Sequence, residues 1–345
     1  MKLRPIVAST GKSAGAVRQV LDERALEMVA QVAGAPAEST ALYPALCAEL
    51  IEMHVFRERE GQIWLDTAVF LEEDIQKANR FAQEFGDALA NLVIPAAEPL
   101  LCAPPIVRNF LVGIIAIGQS LHQTMKADGL AVDWLRYGGR YAGSKVDFEE
   151  VCEAAHLLEP DLHNKGMERG LRYTAFLIGP GGSGYYLKPS EIAGLEKREY
   201  IFVLDRFLTD AYPLLLTGQL DHPDLREAAE KVGLVRDGQP EPVVITNQNI
   251  QPYLPALDQI AQIVKSFYYS KLDSIHNLLY ATTSGRQGVP DRNMTMHLWR
   301  YLRRAICRAM YARSFFTDPL PETKLITVFF ENDVEYLNQI LTGPG

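Results

Sequence analysis

The chain reads as a helix-rich α+β protein: a small N-terminal module of helices and a hairpin, then a larger mixed α/β domain. Three observations predict this. Apolar residues recur at helical spacing over 21–33, 72–93, 252–281 and 294–316. Short β-prone runs bounded by Gly or Pro lie between them, at 55–58, 62–70 and 171–189. Prolines at 95, 99, 104 and 105 punctuate one place in the chain. They divide it into an arm at 1–20, a module with its connecting helix at 21–94, and a larger α+β domain at 95–345.

Residues 7–15, VASTGKSAG, hold the Gly-Lys-Ser end of a phosphate-binding loop. The glycine required five residues before Gly11 is replaced by Ile6, so the loop cannot turn its amides onto a phosphate, and the segment reads as an arm. From Leu21 to Ala33 a helix is predicted, with Leu21, Ala25, Met28, Val29 and Val32 on one face and Asp22 and Glu23 at its positive end. Ala30 and Gly34 then permit a close turn. Ser39 or Thr40 can cap a second helix, at 40–53, that turns Leu42, Leu46, Leu50 and Ile51 inward. Strands follow at Val55–Glu58 and Gln62–Phe70, with Glu60-Gly61 as the tip of a hairpin.

This stretch, DERALEMVAQVAGAPAESTALYPALCAELIEMHVFREREGQIWLDTAVF, resembles the winged helix-turn-helix family over about 50 residues. The resemblance implies a winged-helix-like module that binds DNA, with the helix at 40–53 as reader. Lys2, Arg4, Arg57 and Arg59 would supply the phosphate contacts. The charges of the stretch itself point elsewhere. Between Asp22 and Asp74 stand twelve acidic residues against Arg24, Arg57 and Arg59, and the reader helix carries no cation. DNA affinity rests largely on cations that neutralise phosphates.

A helix over 72–93 should follow, with Ile75, Ala78, Phe81, Phe85, Leu89 and Leu92 as its stripe and Pro95 as its end; it could tie the module to the body or form a dimer seam. The run at 106–128 is apolar, then amphipathic. The Gly- and Tyr-rich 134–145 reads as a turn between packed elements. Residues 147–159, DFEEVCEAAHLLE, suggest a helix with Cys152 and His156 four apart on one face and His163 just beyond. These three are the one metal-like grouping, although zinc needs ligands that converge on the ion. Residues 171–189 read as strand, glycine turn and strand, with further strands at 200–204 and 243–246 and helices at 206–217 and 223–232. A long helix over 252–281, a loop at 282–290 and a helix over 294–316 come next. On that last helix Arg300, Arg303, Arg304 and Arg308 lie opposite the apolar face and form a basic patch, which could bind a nucleic-acid backbone, pair with the acidic front module or be a solvated helix face. A strand at 324–330 and a helix at 332–341 close the chain.

Composition narrows the function. Of 345 residues, 48% are hydrophobic and 22% charged, as in ordinary globular proteins, and the net charge of -9 argues against nucleic-acid binding over the whole surface. Cys47, Cys102, Cys152 and Cys307 form no CxxC pair, so neither a zinc ribbon nor a disulfide framework is suggested. No cofactor is expected. No signal peptide follows Lys2 and Arg4, and the longest apolar run, Phe110–Gly118, is far too short to span a membrane. A cytoplasmic protein without a membrane partner is therefore expected.

Three functions stay open. The first is a regulator, transcriptional in kind, in which the module is coupled to a sensory or dimerising domain, with DNA and a second copy of the chain as partners. The second is a scaffold whose acidic module contacts another protein. The third is an enzyme of unknown reaction; no residues at nucleophile-and-base spacing identify its site.

Overall fold

The computed structural model describes residues 1–9, 14–38, 42–130, 140–156, 162–180, 189–190, 194–206, 208, 227, 235–236, 239–240, 243–317 and 326–332. Its architecture is helix-rich α+β, as the periodicities predict. Nearly all of the expected helices at 206–217, 223–232 and 332–341, the GPGGSG turn beyond Pro180 with nearly all of its second strand, and most of the 134–145 segment lie outside the described residues.

The chain opens with β1 (Leu3–Ser9) and α1 (Ala14–Val20). Then comes α2 (Glu23–Gly34), capped by Asp22, whose carboxylate accepts from the Ala25 amide at 2.9 Å. Its buried face holds the predicted Ala25, Met28, Val29 and Val32, with Ala33, while the predicted Leu21 precedes the helix and is half-buried. A two-residue strand, β2 (Ala37–Glu38), precedes α3 (Pro44–Glu52), which has Pro44 at its start. β3 (Phe56–Arg59) and β4 (Gln62–Leu65) form a hairpin, and its tip residues Glu60 and Gly61 both take positive φ, 55° and 75°. That backbone matches the twist of the flanking strands, and Gly61 adopts it without strain. The three strands make an antiparallel sheet in the order β2-β4-β3.

The single strand expected over 62–70 is two strands in different sheets. β4 stops at Leu65, and β5 (Val69–Phe70) pairs in parallel with β6 (Ser144–Glu150). The break follows from burial, because Val69 and Phe70 are both enclosed and belong to the core of the body. β6 is the centre of this second sheet, with β1 antiparallel on its other side, from Leu3 against Glu150 to Ser9 against Ser144. The N-terminal arm is thus an edge strand of the body.

α4 (Glu72–Ala96) runs through Pro95 rather than ending before it, and Leu92 of the expected stripe is exposed. A short 3₁₀ turn (Glu98–Cys102) leads to α5 (Pro105–Asn109). The apolar run then forms a π-helix, Phe110–Gln119, buried from Phe110 through Gly118, before α6 (Ser120–Ala127). No described helix is long and apolar enough to cross a membrane.

Two expectations are overturned in the middle of the chain. The helix predicted at 147–159 is instead the end of β6 followed by a 3₁₀ turn, Glu153–His156. Asp147 and Glu149 alternate with Val146 and Phe148 across a strand buried on both faces, a period of two that a helix does not have. The strand expected at 200–204 is part of α7 (Lys197–Arg206), which buries Tyr200 and Leu204 one turn apart. Between these segments β7 (Leu162–Arg169) pairs with β8 (Tyr173–Pro180), with a bulge between Asn164 and Gly166.

β9 (Val235–Arg236) and β10 (Gln239–Pro240) pair with each other, and β11 (Val243–Ile245) leads into α8 (Asn247–Ile250). The helix expected over 252–281 is two, α9 (Leu254–Ser270) and α10 (Leu272–Tyr280), joined at Lys271. The loop at 282–290 contains a helical turn, α11 (Thr283–Arg286), capped by the Thr282 hydroxyl. α12 (Asp291–Ala312) and β12 (Ile326–Glu331) complete the described chain. β12 lies between β11 and β8 in the sheet β11-β12-β8-β7.

α4 and α12 pack along each other. A Cβ on Gly86 would sit 2.6 Å from the Ala305 carbonyl carbon, so glycine is what lets the two backbones approach. One apolar core continues from Val29 and Leu50 in the front module through Phe85 and Tyr301 to Val328.

Candidate functional site

On β6 every second residue points to one face, and on the face toward α12 these are Lys145, Asp147 and Glu149. All three are buried, at 7%, 2% and 2% relative exposure. α12 answers with His297, Arg300, Tyr301 and Arg304, spaced three, four and seven residues apart on one helical face. The His297 ring has no solvent exposure; its Nδ1 lies 3.7 Å from Asp147 Oδ2 and its Nε2 lies 3.3 Å from Glu149 Oε1. Both nitrogens are in ion-pair range without a hydrogen bond: Nδ1 is too far from Asp147, and Nε2 is off the direction that one to Glu149 requires. The Phe70 ring meets His297 edge-on, 4.5 Å between centroids.

The carboxylates are closely tied. Glu149 Oε1 accepts from the Tyr301 hydroxyl at 2.9 Å, and Oε2 accepts from Arg4 Nη2 at 2.9 Å and Nε at 3.2 Å. Asp147 Oδ1 accepts from Lys145 Nζ, and the Thr67 hydroxyl lies 2.9 Å from it and 2.7 Å from the Val146 carbonyl. β1, the β4–β5 link, β6 and α12 therefore all meet at this cluster.

Burial raises the Asp147 carboxyl, but Lys145, His297 and Arg300 outweigh it and hold the group well below the usual carboxylate range. Glu149 behaves the same way, with burial opposed by His297 and Arg4. Burial lowers Lys145 against the pull of Asp147, and lowers Arg300, with Asp147 and Glu149 opposing and Arg304 and Arg303 reinforcing. Burial, then Glu149, raises Tyr301 well above the ordinary phenol.

Arg4, Lys145 and Arg300 thus face two carboxylates, and Arg303 and Arg304 add positive field at Arg300. Nη1 of Arg300 is screened from solvent, and no hydrogen-bond acceptor reaches it among the described residues. A buried charged donor without an acceptor costs on the order of 1–3 kcal/mol or more.

The front module is clamped beside this site. The Ser284 hydroxyl accepts from the Val69 amide at 2.7 Å and lies 3.1 Å from the Thr67 carbonyl. Gln287 Nε2 donates to the Val32 carbonyl at 2.7 Å, and its Oε1 accepts from the Leu65 amide at 3.2 Å. Asp74 Oδ2 accepts from the Thr283 amide at 3.1 Å. On the other side, Glu49 of α3 accepts from Arg140 at 3.0 Å and from the Tyr141 hydroxyl. Burial and Glu49 together push that hydroxyl up to about 12.

The residues singled out from sequence are dispersed. Lys2 is exposed at the start of the chain, with its carbonyl bonded to the Val151 amide at 2.8 Å. Arg4 is part of the buried cluster. Arg57 donates through Nη2 to the carbonyls of Gln287 at 2.8 Å and Gly288 at 2.9 Å, so it faces the body. Arg59 lies on the exposed hairpin, 3.7 Å from Glu60.

The basic patch expected on α12 is not a solvated face. Arg303 and Arg304 are buried, Arg300 is intermediate, and Arg308 alone of the four is exposed. Arg303 stacks over the Trp299 ring at 5.0 Å. The reason is that α12 packs on both sides, against α4 and against β6, so its polar face is also interior. Cys152, His156 and His163 follow β6 on a bend, a 3₁₀ turn and β7, not on one helix face. Among the described residues no three His, Cys, Asp or Glu side chains are placed to hold a metal ion.

Sequence reading missed Lys145, Asp147, Glu149 and His297. The available signal was the alternation Lys-Val-Asp-Phe-Glu, which fits a strand of period two, together with a histidine in phase with the arginines of α12. Comparison with protein-family models, with curated proteins and with solved structures finds no match to this chain.

Proposed function

We propose that the protein is a regulatory or scaffolding protein whose winged-helix-like front module contacts another protein rather than DNA. The charge of the α3 surface carries this reading. Its exposed residues are Tyr43, Pro44, Ala45, Ala48 and Glu52, with no cation among them. Around it Glu23, Glu27, Glu38, Glu58 and Glu60 are also exposed and outnumber the cations there, Arg24 over the Tyr43 ring and Arg140 paired with Glu49, while Arg57 is turned onto the body. Such a surface repels a duplex and suits a partner with a basic face.

The test is fluorescence anisotropy with mixed-sequence duplex DNA at about 50 mM salt, where non-specific phosphate binding is strongest. No saturable binding is expected. Saturable binding that weakens steeply toward about 200 mM salt would instead support a transcriptional regulator. That second reading draws on the sheet order β2-β4-β3 behind α2 and α3, and on the exposed Arg59 at the hairpin. It requires Arg59→Glu to abolish the binding.

A further inference from the structure

We propose that the chain assembles head to tail with a second copy of itself: the acidic α2–α3 surface of one copy seats on a basic and apolar surface formed by α7 and the β7–β8 turn of the next. The inference rests on the reading of the front module as a protein-contact surface, and it names the partner.

The α7 surface is built by the helix period. Tyr200 and Leu204 hold the helix inward, which leaves Arg198, Phe202 and Arg206, each four residues from the next, on the opposite face. Phe202 is 61% exposed, and the Arg206 guanidinium lies 5.9 Å from its ring centre. The β7–β8 turn rests against the same helix. A Cβ on Gly170 would sit 3.6 Å from Ile201 Cγ2, and the Arg172 amide donates to Asp205 at 3.3 Å. Leu171 is thereby held beside α7, and at 86% it is the most exposed large apolar side chain among the described residues. An exposed aromatic ring and an apolar neighbour set among arginines have the composition of a contact surface.

Charge selects the occupant. Over the turn and α7, Arg169, Arg172, Lys197, Arg198 and Arg206 are exposed against Glu196 and Glu199. The half-buried Asp205 and Glu331 are taken up by Arg172, through its amide at 3.3 Å and its guanidinium at 3.2 Å. The front module has the reverse balance: Glu23, Glu27, Glu38, Glu52, Glu58 and Glu60 are exposed against Arg18, Arg24 and Arg59. Tyr43, 61% exposed at the start of α3, supplies the aromatic ring on that side. Each surface thus carries the charge that suits the other. Both are open in a single copy, so they do not cover each other within one chain, and a second copy brings them together. Two different patches in contact make a heterologous interface, which closes into a ring or grows along a line.

Velocity sedimentation of the full chain over a concentration series, at about 50 and about 500 mM salt, tests the contact. Species larger than the monomer are expected at the lower salt and should dissociate at the higher. Phe202→Glu and Tyr43→Lys each remove one half of the contact and should weaken association about tenfold or more. Mixed together, the two variants should pair again, because the first keeps an intact front module and the second an intact α7. Circular dichroism checks their folding, and Arg198→Glu or Glu27→Lys replaces a variant that does not fold. A wild-type chain that stays monomeric at the lower salt, or folded variants that associate as the wild type does, overturns the proposal. A mixture that stays monomeric also overturns it, since contact between like surfaces would not be restored by mixing. The DNA titration judges the front module separately: a monomeric chain that binds no duplex leaves the protein-contact reading standing with a foreign basic partner.

Discussion

The front module and the β6–α12 junction use the same residue types in opposite ways. In the module, Glu23, Glu27, Glu58 and Arg59 point to water and the interior is Val29, Val32 and Leu50. At the junction, Asp147, Glu149, Lys145 and His297 are interior and each carboxylate is held by several donors. Water screens the first set, so any one of those charges can change with little consequence. The second set has lost its water, and removal of one partner strands the others. The contrast shows that charge by itself marks neither surface nor site; what matters is whether a neighbouring element covers it.

The sharpest break of this comparison is Glu149→Ala. It leaves Arg4 and Tyr301 without their acceptor and His297 without its nearest carboxylate, and should destabilise by about 3–5 kcal/mol in urea or guanidinium unfolding. A loss near that of a surface change would mean that the cluster is solvated in solution.

Acid comes next. Asp147 and Glu149 have folded pKa values below their unfolded ones, so the unfolded chain binds more protons at moderately acid pH. Their contribution is present in full above the ordinary carboxylate range. It is lost as pH falls from about 4 toward the folded values, by about 1.4 kcal/mol for each unit of depression. Denaturant midpoints followed below about pH 5 should fall steeply in the wild type and less steeply in Asp147→Asn.

Gly86→Ala probes the helix contact that brings α12 onto the body. Its methyl group meets the Ala305 backbone, which cannot rotate away, and a loss of about 1–3 kcal/mol is expected from the thermal midpoint. Arg57→Ala removes two bonds to carbonyls between the module and the body and should cost about 1–2 kcal/mol by the same measurement. The smallest effect belongs to Arg59→Ala on the exposed hairpin, where no change in midpoint is expected. A large effect there would show that the hairpin has a partner within the folded protein.

The strongly amphipathic helices were legible in the sequence. α2 buries all of the stripe read from its spacing except Leu21, α9 and α10 lie within the helical stretch expected, and α12 overlaps the one expected at 294–316 but starts and ends earlier. The site was not legible. Lys145, Asp147 and Glu149 alternate with Val146 and Phe148, but the run continues through Glu150, Cys152, Glu153 and His156, whose spacing of Cys152 and His156 reads as a helix. Arg300, Arg303 and Arg304 looked like an exposed face because an arginine row opposite an apolar stripe usually is one. The split of 62–70 was hidden as well, since an apolar strand does not announce which sheet it joins.

Local pattern by itself determined the helix-rich α+β class, the faces of the long helices and the β3–β4 hairpin, because those depend on periodicity and on turn residues within a few positions. Only the tertiary structure decided that β1 and β5 flank β6, that α12 is covered on both sides, and that five side chains from β1, β6 and α12 share one buried charge cluster. Burial of a charge depends on elements up to 152 residues apart, as between Tyr301 and Glu149, and no local pattern encodes that distance.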